Sequence, residues 1–350
     1  MDAFFAAVEE RDHPQFTGRP IVVGSDPREG TGRGVVSTAN YAARAYGIRS
    51  ALPISRAWKL AEAAHAAGKP AVVFLPVRMP ELTEASERVL SIVRSFVPKI
   101  EQVSVDEAYL DLSFTRGYRA ARELAVRLKG EIRSRERLTA SVGIGPNKLI
   151  AKIASDAEKP DGLTVVSERV ASEFIAPMPV RVIPGIGPKS EARLAELGVR
   201  TVAEARRLSV GELTTLFGKF GATLHHLLRG RDDAPVEERG EAKSIGEQET
   251  FEDDTLDATF VTGRLAALAR GVLEHLAASS FSSFRRVVVT VRFEDFTTLS
   301  RSRTLASPAR DLATLTFEAL SLLTPFLERR GNPEKKRLRL IGVRIERLGA

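Results

Sequence analysis

The chain has 350 residues, 43% apolar and 28% charged. That is enough apolar content for packed cores and too much for global disorder, and the length points to about two to four domains. Cysteine is absent, which excludes disulfides, thiolate nucleophiles and Cys-built zinc or iron–sulfur centres. The 52 basic and 45 acidic side chains leave a net charge of +7, with 40 of the 52 being Arg. Arg suits phosphate because its planar fork makes bidentate contacts, yet +7 over this length says little until the charges are placed. No apolar run approaches the ~20 residues of a membrane span. The opening Met1-Asp2-Ala3-Phe4-Phe5 has no basic n-region of a signal peptide. A cytoplasmic protein without a membrane partner is expected.

In chain order, Ile21–Val23 and Gly34–Ser37 read as short strands, and 40–46 and 53–63 as helices. From Val72 onward strand and helix alternate. Val72–Phe74 leads to a helix near 81–95. Glu101–Val105 and Ala108–Leu112 form two strands around a turn, followed by a helix near 119–133. The strand Thr139–Ile144, a helix near 148–156 and Leu163–Val166 complete the run. This pattern predicts a mixed sheet covered by helices. Residues 167–230 read as nearly all helical, and 231–243 as a charged, unpatterned linker. The last segment reads strand 244–249, helix 256–279, strands 284–293 and 298–305, helix 311–328 and strand 336–346. That order is β-α-β-β-α-β, a ferredoxin-like arrangement.

Several strings carry chemistry, and each has an ordinary structural reading beside it. Ser104-Val105-Asp106-Glu107-Ala108-Tyr109-Leu110-Asp111 sets two adjacent carboxylates in a tight turn between apolar strands. Such acids suit Mg²⁺, which takes hard oxygen ligands and leaves positions open for a substrate phosphate. Two ions of this kind activate an attacking oxygen and stabilise a leaving one. A solvated hairpin turn accounts for the same residues. Tyr41 and Arg44 sit three apart on one face near a helix start, where a hydroxyl and a fork can hold a triphosphate. A capped amphipathic helix with a surface Arg is the plain alternative.

Ser141 to Lys148 is a strand, a Gly turn and a helix start without the Walker spacing, open to reading as a phosphate cradle or a structural turn. Ile183-Pro184-Gly185-Ile186-Gly187-Pro188-Lys189 resembles the hairpin of a helix–hairpin–helix, where Gly lets backbone N–H groups approach a DNA phosphate. Near the C-terminus Arg301 and Arg303 share a strand face, as do Arg337 and Arg339. With Arg285, Arg286, Lys335, Lys336 and Arg344 they are expected to line a sheet against a phosphate backbone. The five His include none at metal-ligand spacing.

Taken together these strings resemble the Y family of translesion DNA polymerases, on the bacterial DNA polymerase IV branch. The match runs through Met1 to Glu9, Ser37 to Tyr41 with Arg44 and Gly47, Ser104 to Asp111, and Gly143 to Lys148. It continues through Ala151 to Asp156, Lys159-Pro160, the 184–189 hairpin and Lys243 to Gly246, in family order over essentially the whole chain. The resemblance implies an α+β multidomain fold. A palm at 1–9 and 72–166 is expected, with small fingers at 10–71 and a helical thumb with its helix–hairpin–helix at 167–230. The linker 231–243 and a βαββαβ little finger at 244–350 complete it.

The implied activity is template-directed, error-prone DNA synthesis across lesions, with two Mg²⁺ ions, a dNTP and primer–template DNA. Residue by residue, Asp106 is implied as a metal ligand and Glu107 as its acidic neighbour on the 3′-hydroxyl side, the Met1 carbonyl as a backbone metal ligand, and Phe5 as the steric gate under the sugar. Tyr41, Arg44 and Lys159 would hold the triphosphate, and Gly185, Gly187, Lys189, Arg301, Arg303, Arg337 and Arg339 the DNA.

Two departures from the family pattern stand out. The family has a metal-binding Asp immediately before the residue matching Met1, on a palm strand that this sequence does not contain. Asp2 matches the second Asp of that stretch, which is not the principal side-chain ligand. The alternatives are a start assigned downstream of the true one, or a loss of activity that leaves a non-catalytic DNA-binding accessory. At the other end, the sequence stops at Ala350, just past the last strand, with no clamp-binding peptide evident. Sliding-clamp association is therefore open, and a monomer is expected. A palm-type nucleotidyl cyclase shares the paired acids but not the 184–189 hairpin or the extra C-terminal domain.

Overall fold

The computed structural model describes residues 1–238 and 240–349. The chain divides into two units, one of Met1–Asp26 with Val35–Arg239 and one of Pro27–Gly34 with Gly240–Ala350. The first unit opens with α1 (Phe4–Asp12), β1 (Ile21–Gly24), β2 (Val36–Ala39), α2 (Tyr41–Arg44), α3 (Ile54–Ala66) and β3 (Val73–Leu75). It continues with α4 (Met79–Phe96), β4 (Ile100–Gln102), β5 (Ala108–Leu110), α5 (Tyr118–Glu136), β6 (Val142–Ile144), α6 (Lys148–Ala157) and β7 (Leu163–Val165). Short helices follow, α7 (Glu168–Ile175), α8 (Pro188–Glu196), α9 (Val202–Ala205), α10 (Val210–Phe217) and α11 (Phe220–Leu227). Periodicity located the long helices well, because each buries a stripe at i, i+3, i+4 spacing. Leu82, Ala85, Val89, Ile92 and Val93 of α4 pack with Leu124, Leu128 and Ile132 of α5 in one core.

The sheet expectation needs correction. Instead of one mixed sheet, the described residues of this unit form three small ones. They are β2-β1-β3, the antiparallel pair β4-β5 and the parallel pair β6-β7. β3 runs parallel to β1, so this sheet crosses the expected boundary at 71/72. β5 and β6 do not pair; both border a cleft of about 720 Å³ floored by Val89, Val93, Leu128 and Ile132. The strand expected over 139–144 shortens to β6 because Thr139 and Ser141 are engaged elsewhere. The Thr139 carbonyl accepts from the Asp2 N–H at 3.1 Å, and the Ser141 hydroxyl donates to the Asp2 carboxylate at 2.7 Å. α1 was not readable as a helix from its start, since Ala3 precedes it in the left-handed region with no side-chain cap.

The second unit contains β8 (Ser244–Thr255), α12 (Ala258–Ala277), β9 (Phe284–Phe293), β10 (Thr298–Ala309), α13 (Leu312–Leu327) and β11 (Leu338–Glu346). The expected βαββαβ order is present. Its antiparallel sheet runs β10-β9-β11-β8, which places the second and fourth strands centrally, where a ferredoxin arrangement has the first and third. α12 and α13 cover one side, burying Val287, Val289, Val291, Ile341, Val343 and Ile345 against Leu265, Val272, Leu315 and Leu323.

Glycine sets how closely α6 lies on β6. A Cβ at Gly143 would stand 2.1 Å from the Ala151 carbonyl oxygen and 2.2 Å from the Ser155 nitrogen. Those are backbone atoms that cannot swing away. Gly143→Ala is therefore expected to destabilise the chain by about 3 kcal/mol. A urea titration checks this as a lower midpoint, and a change within ~0.5 kcal/mol would contradict the packing.

Candidate active site

The hairpin β4–β5 presents the paired acids. Its turn is closed by Val103 and Ser104 N–H groups that donate to the Glu107 carbonyl at 2.8 and 3.1 Å. The Ser104 hydroxyl donates to Asp106 Oδ1 at 2.6 Å and orients that carboxylate. The Met1 backbone nitrogen donates to the Asp106 carbonyl at 2.7 Å, which brings the residues before α1 beside the turn. Glu107 points elsewhere: its Oε2 accepts from Lys152 Nζ of α6 at 2.7 Å.

α2 is held by Asn40, whose side chain is almost fully buried. Asn40 Oδ1 accepts the Ala43 and Ile21 N–H groups, both at 3.0 Å, and Nδ2 donates to Glu10 at 2.8 Å and to the Arg19 carbonyl at 2.7 Å. Burial pushes the Glu10 carboxyl up, against the pull of its Asn40 bond. With the helix start so fixed, the Arg44 guanidinium lies 4.6 Å over the Tyr41 ring, and its Nε donates to the Ala39 carbonyl at 2.9 Å. The Tyr41 hydroxyl is buried with no hydrogen-bond partner among the described residues. Burial first, then the Asp2 charge, raises its pKa, so it stands as a protonated donor.

These elements surround a polar pocket of about 260 Å³. Its walls include Met1, Phe5, Tyr41, Arg44, Asp106 and Lys159, with Ser37, Thr38 and Ser50 beside them. Six of the sequence-predicted site residues thus meet in one cavity. Glu107 lines the larger cleft with Lys152, and Met1, Asp106 and Lys159 border both cavities. Lys159 ion-pairs with Asp156 at 2.6 Å.

Asp2 is 4% exposed and turned away from the pocket. Its Oδ1 accepts from Ser141 and its Oδ2 from the Asp161 N–H at 2.9 Å. Burial, which pushes this carboxyl up, is outweighed by hydrogen bonds from Ser141, the Asp161 backbone and Thr139, so its pKa lies below the usual value. Sequence reasoning missed this anchoring role, and it missed Ser104 as the group orienting Asp106.

The Gly turn before α6 resolves to the structural alternative. Cβ atoms at Gly143 and Gly145 would collide with α6. The chain's own side chains cap that helix: Asn147 Oδ1 accepts the Ile150 N–H at 3.0 Å, and Asp232 Oδ2 accepts the Leu149 N–H at 3.2 Å. The 183–189 hairpin also has a packing constraint, but it leaves the start of the next helix open. Gly185 takes φ 92°, and a Cβ there would meet the Phe220 ring at 2.5 Å. Gly187 precedes α8 without a side-chain cap, and Lys189 is exposed in the first turn. First-turn N–H groups of a helix have no intrahelical partner.

The expected Arg-lined sheet face is also corrected. Arg301 and Arg303 stand opposite Val289 and Val287 in register, on the side covered by helices. There Arg301 lies 5.0 Å over the Phe326 ring and Arg303 bonds Glu318 at 2.7 Å. Arg337 pairs with Glu294 at 2.9 Å, and Arg339 stacks 4.6 Å over Phe296. The uncovered side carries Arg286, Arg292 and Arg344, with Thr290, Thr298, Ser300 and Ser302 between them. Cross-strand bonds order this surface, with Arg286 to Ser302 at 2.8 Å, Thr290 with Ser300 at 2.8 Å and Arg292 to Thr298 at 2.9 Å.

Comparison with known proteins agrees along the whole length. The impB/mucB/samB family matches residues 1–156, its C-terminal domain 242–350, and the DNA polymerase-iota thumb domain 181–232. The chain is 45% identical to a DNA polymerase IV of Methanoculleus marisnigri, over 99% of this chain and 92% of the relative. The chain belongs to the Y family of DNA polymerases. A second Y-family relative, DNA polymerase IV 2 of Methanosarcina mazei, is 43% identical over 99% of this chain and 90% of its own length. Among solved Y-family structures, a chimeric polymerase superimposes with a TM-score of 0.86 at 30% identity, covering 99% of this chain and 97% of that one. An insertion ternary complex of the Dbh DNA polymerase gives 0.66 at 29% identity, covering 99% and 97%.

Asp2→Asn keeps the shape but turns an NH₂ toward one of two donors, so a loss of about 2 kcal/mol at neutral pH is expected. Because the folded carboxyl titrates below its unfolded value, its stabilisation is present above the unfolded pKa and fades as pH falls through the folded one. The gap between wild type and Asp2→Asn should therefore close in acid, below pH ~4. Urea unfolding across that range measures it, and a constant gap would contradict the anchoring role.

Proposed function

We propose that this Y-family chain, a DNA-directed DNA polymerase, performs lesion-tolerant, template-directed synthesis by adding a nucleotide to a primer 3′-hydroxyl. The observation that carries the reading is the polar pocket in which Asp106, Met1, Phe5, Tyr41, Arg44 and Lys159 meet. The buried Tyr41 hydroxyl lacks a partner there among the described residues, so it is ready to donate to a phosphate oxygen. Arg44 offers its fork, and Lys159 a point charge, to the same triphosphate. Phe5 presents a flat ring where a ribose 2′-hydroxyl would otherwise sit.

Y-family polymerases use divalent metal ions, and the donor chemistry here fits Mg²⁺. The Asp106 carboxylate and the Met1 carbonyl are hard oxygens, and Mg²⁺ is commonly held by one or two carboxylates plus substrate phosphates and water. Among the described residues no three acidic or imidazole side chains converge as a metal site, so nucleotide phosphates would complete the shell. Two bound ions supply activation of the attacking oxygen and stabilisation of the leaving one. Asp106 and the Met1 carbonyl would hold ions, with Glu107 on the primer side.

In this reading 1–9 with 72–166 act as palm, 10–71 as fingers, 167–230 as thumb and 244–350 as little finger. Primer–template contacts fall to backbone-reading groups. They are the uncapped start of α8 with Gly185, Gly187 and Lys189, and the hydroxyl-and-Arg face around Arg286, Arg292 and Arg344. None of these groups needs to read a base, which suits synthesis on any template.

Asp106→Ala should lower Mg²⁺-dependent primer extension by about 10³-fold, the scale of losing a preorganised electrostatic group, while primer–template affinity holds. Extension at the wild-type rate would remove the reading. Phe5→Ala should admit ribonucleotides about tenfold or more readily, since a small steric contact is worth roughly that much discrimination. Competition between dNTP and rNTP on one template measures the ratio. Primer–template affinity should fall steeply with salt, with log K linear in log salt. A salt-insensitive affinity, measured by fluorescence anisotropy, would contradict the placement of the DNA contacts.

A further inference from the structure

We infer that Lys152 is a positioning residue for Glu107, holding one carboxylate oxygen so that the other is presented to the reacting primer end; this rests on the nucleotidyl-transfer reading above. Two adjacent carboxylates in a tight turn repel each other and have no reason to adopt a fixed divergence. In this hairpin they are drawn apart by different partners. Ser104 ties Asp106, which borders both the nucleotide pocket and the larger cleft, and Lys152 ties Glu107, which borders the larger cleft alone. Lys152 Nζ engages only Oε2, and Oε1 has no hydrogen-bond partner among the described residues.

The pair is not an ordinary surface bridge. Both side chains are only about a third exposed, 30% and 35%, where a charge pair is less screened than on an open surface. Lys152 is also well fixed. It lies one turn beyond Lys148, whose Nζ takes both oxygens of Glu101 on β4 at 2.9 and 2.7 Å. Two lysines on one face of α6 therefore grip the hairpin at its strand and at its turn. Behind them, Gly143 and Gly145 allow that helix to lie directly on the backbone of β6. The same ammonium competes with a divalent ion for Glu107. Lys152 thus trades some metal affinity for a fixed carboxylate direction.

The test uses the full chain with dATP and a dideoxy-terminated primer–template, and follows Mn²⁺ by the loss of its free-ion EPR signal against a nucleotide-only control. Lys152→Met keeps the stem and removes the charge. It should lower the half-saturating Mn²⁺ about threefold, because a competing cation is gone. With an extendable primer at saturating Mn²⁺, the rate should fall about tenfold, because the carboxylate is no longer aimed. Lys152→Arg should restore both. In a Glu107→Gln background, Lys152→Met should leave Mn²⁺ binding unmoved.

An unchanged Mn²⁺ midpoint in Lys152→Met, or the same shift with Glu107 already neutralised, overturns the inference while wild-type extension leaves the polymerase reading standing. If the wild-type chain neither takes up Mn²⁺ nor extends a primer, the reading itself falls and the inference with it.

Discussion

A buried carboxylate organises the site without taking part in it. Asp2 gathers a hydroxyl and a main-chain N–H from two other stretches of chain, and its own N–H bonds to a third group, the Thr139 carbonyl. An ionised group removed from water is tolerated only when its bonds are complete. The strands and loops around it must therefore hold their places together. Met1 and Phe5 sit on one side of this knot and Lys159 two residues before the bonded Asp161, so pocket walls from distant parts of the sequence are brought into one frame. Asn40 does similar work at α2, with all four of its side-chain bonds directed to main chain or to Glu10.

Charge in this chain acts mostly as local pairing. Glu101 and Glu107 of the hairpin pair with lysines of α6, while Tyr109 beside them is pushed up to about 12 by burial and then by the negative charge of Glu107 and its neighbours. That phenol stays neutral and gives the turn an apolar, non-titrating wall. Lys148 also lies 5.2 Å from the Tyr109 ring, so one cation serves both an ion pair and an aromatic face. The net +7 is a poor guide beside these placements.

The parts of the fold legible in the sequence were those set by periodicity and turn chemistry. Long helices such as α4 and α5 have apolar stripes that admit one reading. The turn carrying Asp106 and Glu107 was visible as acids between apolar runs. What escaped was decided by tertiary partners. Thr139 to Ser141 has strand composition but bonds to Asp2 instead. α1 begins without any capping residue. Alternation put Arg301 and Arg303 on a common face, yet it cannot say which face. On an edge strand, long side chains can reach past the core rim to Phe326 and Glu318, so charged residues survive on the apolar side.

The core of the second unit is closed on itself. Every buried member of its main apolar cluster lies between Phe251 and Ile345, and the first unit has clusters of its own. A polypeptide built this way has no obligation to melt as one cooperative body. A calorimetric trace of this chain would then hold two enthalpies rather than one. Temperature would then strip away the hydroxyl-and-arginine surface while the polar pocket around Tyr41 and Asp106 persists, or the reverse. Thermal inactivation and thermal unfolding would become separate quantities, each belonging to a different part of the same molecule.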